Sequence, residues 1–307
     1  MRIFVTGGTG LVGRRLVRRL HERGDQAVIL TRRAGHAREL FGNNVVVVEG
    51  DPMQSGDWMD AVADCDAVVH LAGENVFAHR WNAEFKRLLR DSRVLSTQHV
   101  VEALRRQPVR ADGQTKVLVS ASAIGYYGPH GDEELTEDSP PGSDFLAQLC
   151  VEWEQAARAA EASGVRAAWV RVGVVLDKEG GALAKLLTPF RLCAGGPVGS
   201  GRQWMSWIHY ADLVSLFLLA LDNAQARGPL NGTAPNPVTN REFSKTLGRV
   251  LHRPSLVWMP ALALRVALGE VAELITTGQR VLPKRALELG YSFQYPTLDA
   301  ALTQILA

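Results

Sequence analysis

The sequence has few cysteines, little net charge and no long apolar run. Its three cysteines, Cys65, Cys150 and Cys193, match no metal-ligand spacing and no disulfide framework, which suggests a reducing compartment such as the cytoplasm. A formal net charge of +2 over 307 residues gives no reason to expect nucleic acid or a membrane as a partner. The longest apolar run, residues 213–221, is too short to span a bilayer. The eight histidines are scattered, so no metal site is expected.

The first fourteen residues carry the strongest functional pattern. Residues 2–6 are apolar and partly β-branched, which predicts a buried strand and leaves no room for a signal peptide before it. Three glycines with the spacing G-x-x-G-x-x-G follow, and a helical pattern starts among them. Such a turn lets the backbone approach a pyrophosphate, and the helix that follows offers free N–H groups, so this context favours a dinucleotide site over a purely structural turn. The expected cofactor contacts here are Gly7, Thr9, Gly10, Leu11, Val12 and Gly13.

The end of the second predicted strand, residues 26–30, favours NADP(H) over NAD(H). In a dinucleotide-binding fold this strand end faces the adenosine ribose, where an NAD site usually carries Asp or Glu. The sequence has Thr31, Arg32 and Arg33 instead, and guanidinium groups suit the 2′-phosphate of NADP by charge and by geometry. The alternative is a pair of exposed arginines that follow a strand. Asp51, after the third predicted strand, is placed to contact the adenine ring or to cap the next turn.

Strand and helix patterns alternate through the first part of the chain, which predicts an α/β fold with a doubly wound parallel sheet, the Rossmann architecture. The predicted strands are residues 2–6, 26–30, 45–48, 67–71, 116–120 and 167–175. Residues 1–175 are predicted to form the dinucleotide-binding domain, with residues 206–225 packing back onto it. Residues 176–205 and 226–307 are predicted to form a smaller, mostly helical substrate lobe, in which residues 228–240 are interpreted as a turn-rich connection.

Several motifs resemble the extended short-chain dehydrogenases/reductases. They are the glycine turn, LAGEN at residues 71–75, SAIGYYG at residues 122–128 and WIH at residues 207–209. More narrowly, residues 120–128 and GGPVGSG at residues 195–201 are similar to the atypical branch of epimerase family NADP-binding proteins. The resemblance extends along essentially the whole chain. It implies that the lobe after Leu176 closes over the substrate.

The resemblance also implies where the rest of the cofactor lies. Small residues at the end of a strand allow a ligand to approach the backbone closely, and the family places the nicotinamide near Ser122 and near the end of the last predicted strand. The further expected cofactor contacts are Leu71, Ala72, Gly73, Glu74, Ser120, Arg171, Val172 and Gly173.

The catalytic residues are where the sequence departs from the family. The family uses Ser or Thr, a Tyr and a Lys four residues after that Tyr, and the Lys lowers the pKa of the Tyr. The matching helix, DFLAQLC at residues 144–150, has neither Tyr nor Lys. Ser122 matches, either as a catalytic hydroxyl or as a group that bonds the nicotinamide carboxamide. Tyr126 and Tyr127 are candidate substitute proton donors, and burial against the following loop is their alternative.

Four further residues are candidates for contact with the substrate: Arg80, Trp81, Trp207 and His209. Tryptophan rings stack on planar substrates, but core packing is the alternative for both. Histidine ordinarily titrates near neutral pH, which makes His209 a candidate for proton transfer, and a hydrogen bond at the start of its own helix is its alternative role. Arg93 aligns with a helix-borne active-site Asn of the family.

The sequence therefore predicts an NADP(H)-dependent oxidoreductase of the extended short-chain class that acts on a small-molecule substrate. One alternative is a nucleotide-sugar epimerase or dehydratase, against which the missing Tyr and Lys argue. The other is a non-catalytic NADPH-binding sensor, which a lost catalytic pair beside an intact cofactor site would produce. The substrate and the oligomeric state are not predicted.

Overall fold

A computed structural model describes residues 1–110 and 112–307, and its central element is a seven-stranded sheet. The strands are β1 (Arg2–Thr6), β2 (Gln26–Thr31), β3 (Val45–Glu49), β4 (Ala67–His70), β5 (Val117–Ala123), β6 (Arg166–Val172) and β7 (Gly228–Gly232). Their order across the sheet is β7-β6-β5-β4-β1-β2-β3, and all neighbours are parallel. The chain direction across the sheet reverses between β1 and β4, which is where doubly wound sheets bind their ligands.

The protein has twelve α-helices within the described residues, and some of them cover the two faces of the sheet. They are α1 (Leu11–Glu22), α2 (Ala34–Phe41), α3 (Asp60–Ala63), α4 (Ala83–Arg106), α5 (Phe145–Arg158), α6 (Gly181–Arg191), α7 (Tyr210–Asp222), α8 (Asn240–Leu251), α9 (Ala261–Leu268), α10 (Glu273–Thr276), α11 (Lys284–Glu288) and α12 (Leu298–Leu306). The alternation of side chains along β1 builds two cores: Ile3 and Val5 pack with α1 and α7, and Phe4 packs with Trp58 on the opposite face. The predicted doubly wound sheet is confirmed.

The six predicted strands are present, and the sheet has a seventh that the sequence analysis missed. Residues 228–240 were predicted to be a turn-rich connection, but β7 pairs with β6 along the first five of them. The sequence GPLNG has no strand pattern, and Pro229 is tolerated because β7 is an edge strand. The last predicted strand, residues 167–175, is interrupted at Gly173, after which Val174–Leu176 pairs with Trp207–His209 instead.

The C-terminal region is mostly helical and has its own apolar core. α6, α8 and α12 contribute Leu183, Phe243 and Leu302 to that core, together with the fully buried Trp207. α7 leaves this region and packs against α1 and the sheet. Among the described residues, none of the helices is both long and apolar enough to cross a membrane, and no group of three or more His, Cys, Asp or Glu residues is placed to hold a metal ion.

Candidate dinucleotide-binding site

The turn between β1 and α1 is shaped by glycines that no larger residue can replace without displacement of the backbone. Gly7 has a φ of +67°, and a Cβ atom there would lie 2.7 Å from the carbonyl carbon of Leu71. A Cβ atom on Gly13 would lie 2.2 Å from the carbonyl oxygen of Gly7. Gly13 therefore lets α1 pack directly on the turn. The remaining predicted contacts of the turn, all at least partly exposed, are Thr9, Gly10, Leu11 and Val12.

The amino terminus of α1 is free to bind an anion. Gly10 is the N-cap residue and provides no side-chain hydrogen bond, and the first turn of the helix contains no acidic residue. Within residues 1–110 and 112–307, the N–H groups of Leu11 and Val12 donate to no protein acceptor. Free N–H groups and the positive end of the helix dipole fit a pyrophosphate.

The end of β2 presents two arginines beside the start of α2. Arg32 and Arg33 are both exposed, and the backbone N–H of Arg33 donates to Thr31 Oγ1 at 3.1 Å. Arg32 Nη1 lies 3.9 Å from Asp51 Oδ2, and the Arg32 side chain is 67% exposed. Asp51 Oδ1 accepts from the Met53 N–H at 2.9 Å, so this carboxylate does cap the next turn. The two guanidinium groups are accessible to a phosphate ligand.

A buried hydrogen-bond cluster fixes the end of β4 beside the glycine turn. Thr6 Oγ1 accepts from the N–H groups of Leu71 and Ala72, both at 3.2 Å, and pairs with His70 Nδ1 at 2.7 Å. The other ring nitrogen of His70 pairs with Ser96 Oγ at 3.2 Å. Burial lowers the pKa of His70 to about 3, so the ring is neutral. The cluster holds Leu71 and Ala72 where the sequence predicts cofactor contact.

Arg93 holds the next two residues of this loop. Its guanidinium donates to the carbonyl oxygens of Glu74 at 2.9 Å and Leu89 at 3.0 Å, and burial lowers its pKa. A Cβ atom on Gly73 would lie 3.3 Å from Arg93 Cζ, so the small residue allows this contact. Arg93, the residue that the sequence analysis aligned with an active-site Asn of the family, thus lies beside Gly73 and Glu74 and holds their backbone in place.

Ser122, at the end of β5, belongs to a buried ion-pair network. Its hydroxyl donates to Glu154 Oε1 at 2.7 Å. Arg171 from β6 donates to both carboxylate oxygens of Glu154, each at 2.8 Å. Burial acts to lower the pKa of Arg171, but its hydrogen bonds and charge interaction with Glu154 raise the pKa by more, so the guanidinium keeps its charge. The Ser122 proton is thus directed at the protein, which leaves the oxygen as an acceptor.

The two tyrosines after Ser122 have different environments. Tyr127 is fully buried: its hydroxyl donates to Asn231 Oδ1 at 2.8 Å and accepts from Arg171 Nη1 at 2.9 Å. Burial raises the pKa of Tyr127 to about 12. Tyr126 is half-buried, and the guanidinium carbon of Arg171 lies 3.4 Å from its ring centroid. Tyr127 is therefore buried and not exposed to a substrate, which is the alternative that the sequence analysis gave for it.

Four other predicted site residues have side chains that lie in the interior and bond to protein groups, and for Trp207 and His209 this is the alternative role given in the sequence analysis. Ser120 is buried in β5 and donates to the Ala121 carbonyl, and the Arg171 side chain is occupied by Glu154 and Tyr127. Trp207 packs in the C-terminal core and donates to the Asn236 carbonyl at 3.0 Å. His209 Nδ1 accepts from the Ala211 N–H at the start of α7, and burial lowers the pKa of the ring. Val172 and Gly173, by contrast, are only half-buried at the end of β6.

Arg80 and Trp81 lie where the C-terminal region meets the sheet domain. Arg80 is exposed and donates to the Val266 carbonyl of α9. Trp81 is half-buried, and its indole N–H donates to the Val76 carbonyl at 2.9 Å. Nearby, Lys86 forms an ion pair with Glu270 at 2.6 Å. These contacts join α4 and the segment before it to the residues around α9.

The sequence analysis missed three buried residues of this network. Glu154 binds Ser122 and Arg171, Asn231 accepts from Tyr127, and Glu137 accepts from the Asn231 N–H at 2.8 Å. Burial raises the pKa of Glu137. Arg171 was the sequence feature that could have indicated Glu154, because an arginine inside an apolar strand requires a buried anionic partner.

The strand order, the glycine turn and the uncapped helix together define a doubly wound dinucleotide-binding protein. Comparison with known families is consistent with that class: residues 3–231 match the NAD dependent epimerase/dehydratase family, and residues 259–305 match a domain of unknown function, DUF1731. The chain belongs to the NAD dependent epimerase/dehydratase family. The predicted resemblance is therefore confirmed.

Relatives of the atypical branch match over the full length. The chain is 44% identical to the Arabidopsis thaliana "Epimerase family protein SDR39U1 homolog, chloroplastic", over 100% of this chain and 87% of that one. A crystal structure of human epimerase family protein SDR39U1 with NADPH superposes with a TM-score of 0.88 at 37% identity, over 99% of both chains. A nucleoside-diphosphate sugar epimerase from Corynebacterium glutamicum gives a TM-score of 0.78 at 34% identity, over 100% of this chain and 58% of that one.

Proposed function

We propose that this protein is an NADP(H)-dependent oxidoreductase of the extended short-chain class that acts on a small molecule. The observation that carries the proposal is the uncapped start of α1 at the Gly7 turn together with exposed Arg32 and Arg33 at the end of β2. The first feature fits a pyrophosphate and the second fits a 2′-phosphate. The NADPH in the human relative supports the same cofactor.

The residues around Ser122 would orient the cofactor. When bound, NADP(H) would supply the hydride chemistry. Because the Ser122 proton is donated to Glu154, the serine oxygen is suited to accept a hydrogen bond from the nicotinamide carboxamide. Ser122 would then be a positioning residue rather than an acid.

Tyr126 is the phenol that we propose as the proton donor. Its hydroxyl makes no hydrogen bond to any residue within the described part of the chain, whereas the hydroxyl of Tyr127 is buried and bonded on both sides. Arg171 also places a positive charge against the Tyr126 ring. The group is therefore accessible and lies at the same sheet edge as Ser122.

We further propose that residues 1–175 with residues 206–225 form the cofactor domain and that residues 176–205 and 226–307 cover the substrate. The contacts of Arg80 with α9 and of Lys86 with Glu270 support this division, because they bring the C-terminal region to the carboxyl edge of the sheet. Arg80 and Trp81 would then line the substrate entrance.

The cofactor assignment is tested by calorimetry with NADPH and NADH. NADPH should bind more tightly, and Arg32→Glu should weaken NADPH by about tenfold or more with little effect on NADH, since a near-surface charge pair contributes roughly 1–4 kcal/mol. Arg18→Glu, on the exposed face of α1, is the matched control and should leave both affinities unchanged. Equal affinity of the native protein for the two cofactors would contradict the proposal.

A second candidate function is an NADPH sensor without turnover. It is favoured by one observation: Ser122 and Tyr127 are both held in a closed network, and α5 has neither Tyr nor Lys in its first turns. Steady NADPH consumption with a panel of aldehydes, ketones and quinones supports the oxidoreductase, and tight binding without consumption supports the sensor. Turnover of a nucleotide sugar with retained cofactor would support an epimerase instead.

A further inference from the structure

A patch of exposed apolar side chains covers part of the C-terminal region. Seven of the eight residues of α9, ALALRVAL, are apolar, and none of the eight is buried. Leu262 and Val266 on this helix are 73% and 70% exposed, and Leu256 and Trp258 just before it are 85% and 59% exposed. Single exposed apolar residues are ordinary, but a contiguous group of large ones marks an interaction surface.

The patch is continuous across two segments of the chain. The Val257 N–H donates to the Gly195 carbonyl at 3.2 Å, and the Met259 N–H donates to the Pro197 carbonyl at 3.0 Å. This pairing brings Leu192, which is 73% exposed, to the same surface. We define the apolar patch as Leu192, Leu256, Val257, Trp258, Leu262 and Val266.

The two chain segments that contain the apolar patch carry only basic charges, although Glu270 and Glu273 follow shortly after α9. Residues 180–211 and 243–269, which contain the patch, include no Asp or Glu. Their basic residues are Lys185, Arg191, Arg202, Lys245, Arg249, Arg253 and Arg265. This local excess is concealed in the overall net charge of +2, which is why composition gave no hint of it.

Some of these charges are compensated and others are not. Arg265 lies 3.9 Å from Glu273, and Arg249 lies 2.9 Å from Asp299. Arg191 and Arg253 form no ion pair within the described part of the chain. They are adjacent, since Arg253 Nε donates to the Arg191 carbonyl at 3.4 Å, directly beside Leu192. Two uncompensated guanidinium groups therefore border the most exposed apolar side chains.

We propose that the apolar patch is a docking surface for a membrane that contains anionic lipid. Leucine and tryptophan side chains insert at the interface between headgroups and acyl chains, and arginines beside them bind lipid phosphates. A helix of eight residues lies on a bilayer and does not cross it. The uncompensated charges beside the patch are basic, which is the sign that anionic headgroups attract.

The test is sedimentation of the full chain with phosphatidylcholine vesicles, with and without phosphatidylglycerol. The native protein should bind the anionic vesicles and be released by high salt. Leu262→Ser with Trp258→Ser should weaken binding by about tenfold or more, and Arg253→Glu should do so to a similar extent. Leu287→Ser and Arg18→Glu alter an exposed leucine and an exposed arginine outside the patch and should change nothing.

Two results would overturn the proposal. One is an absence of binding to anionic vesicles, or equal binding to neutral ones. The other is a dimer, measured by light scattering, that Leu262→Ser dissociates, since this would assign the patch to a second copy. NADPH affinity is measured on every variant and should stay unchanged, which shows that the fold is intact and separates this test from that of the proposed function.

Discussion

Ser122 Oγ donates a 2.7 Å hydrogen bond to Glu154 Oε1 in the interior of the protein, between the end of β5 and the middle of α5. The same carboxylate neutralises Arg171, so the serine hydroxyl is held by a charged partner that cannot move away without exposing a buried ion. In the extended short-chain dehydrogenases/reductases that the sequence resembles, the helix that corresponds to α5 carries the catalytic Tyr and Lys. In this protein α5 instead carries Glu154, whose carboxylate bonds Ser122 of β5 and Arg171 of β6.

Loss of the Glu154 charge should destabilise the fold strongly. Glu154→Gln keeps the side-chain shape but leaves Arg171 buried without a counter-ion, so the free energy of unfolding should fall by about 3–5 kcal/mol. Urea denaturation followed by tryptophan fluorescence measures it. Glu152→Gln on the same helix removes an exposed pair with Arg90 and should cost less than about 1 kcal/mol. Similar losses for the two variants would contradict the structural role of the buried pair.

A methyl group at Gly13 should disrupt the cofactor site. Its Cβ would lie 2.2 Å from the Gly7 carbonyl oxygen, so Gly13→Ala must displace either the turn or α1. We expect NADPH affinity, measured by calorimetry, to fall by about tenfold or more, together with a loss of stability. Gly131→Ala, where a Cβ meets nothing within 4 Å and φ is not positive, should leave the affinity unchanged. Undiminished NADPH binding by Gly13→Ala would show that the turn does not hold the cofactor.

The fold could be predicted from the sequence wherever a pattern was local. β1, the glycine turn and α1 follow from apolar periodicity and glycine spacing, and Asp144 is the N-cap of α5 as its residue type predicts. β7 could not be predicted, because GPLNG has no strand propensity and pairs only because β6 offers an open edge. Tertiary context determined that element.

The candidate site likewise contains some features that local sequence patterns predict and others that only the tertiary structure shows. Backbone contacts at the turn depend on glycine and were predictable, as were the exposed arginines after β2. The partners of Ser122, Tyr127 and Arg171 lie 17 to 104 positions away in the sequence, and local patterns do not show such pairings. Trp207 and His209 lie in the core, which is the alternative that the sequence analysis left open for both, because residue type alone does not separate substrate contact from core packing.

His70 should make stability depend on pH below neutrality. Its pKa is about 3 in the fold against about 6.5 in the unfolded chain, so between these values the unfolded state binds more protons. Stability contributed by neutral His70 is therefore complete above pH 6.5 and is lost as the pH falls towards 3, by up to about 1.4 kcal/mol per pH unit. Burial also lowers the pKa of His209, which acts in the same direction.

The contribution of His70 is isolated by comparing unfolding at several pH values for the native chain and for His70→Gln. The variant should be less stable at pH 7, because the bonds with Thr6 and Ser96 are lost, and its stability should decline less between pH 6.5 and 4.5. His21→Gln, at an exposed position, should reproduce the native slope. A native slope in His70→Gln would mean that His70 does not titrate as its burial requires.

Substitution of the two adjacent tyrosines should have different effects on stability and on catalysis. Tyr127→Phe removes one hydrogen bond from Asn231 Oδ1 and one from Arg171 Nη1 in the interior, so the free energy of unfolding should fall by about 1–3 kcal/mol. Tyr126→Phe removes a hydroxyl that has no partner in residues 1–110 and 112–307 and should leave stability within about 0.5 kcal/mol of native. Thermal and urea unfolding of the two variants measures both.

In turnover, Tyr126→Phe should be the more damaging of the two substitutions. If a carbonyl substrate from the panel is reduced, Tyr126→Phe should lower kcat by about 10²- to 10⁴-fold with NADPH affinity unchanged, because only proton transfer is removed. Tyr127→Phe should retain most of the native kcat, since its phenol is buried with a pKa of about 12 and does not reach the substrate. Rapid turnover by Tyr126→Phe together with loss of turnover in Tyr127→Phe would transfer the acid role to Tyr127, and would require the network around Arg171 to open during catalysis.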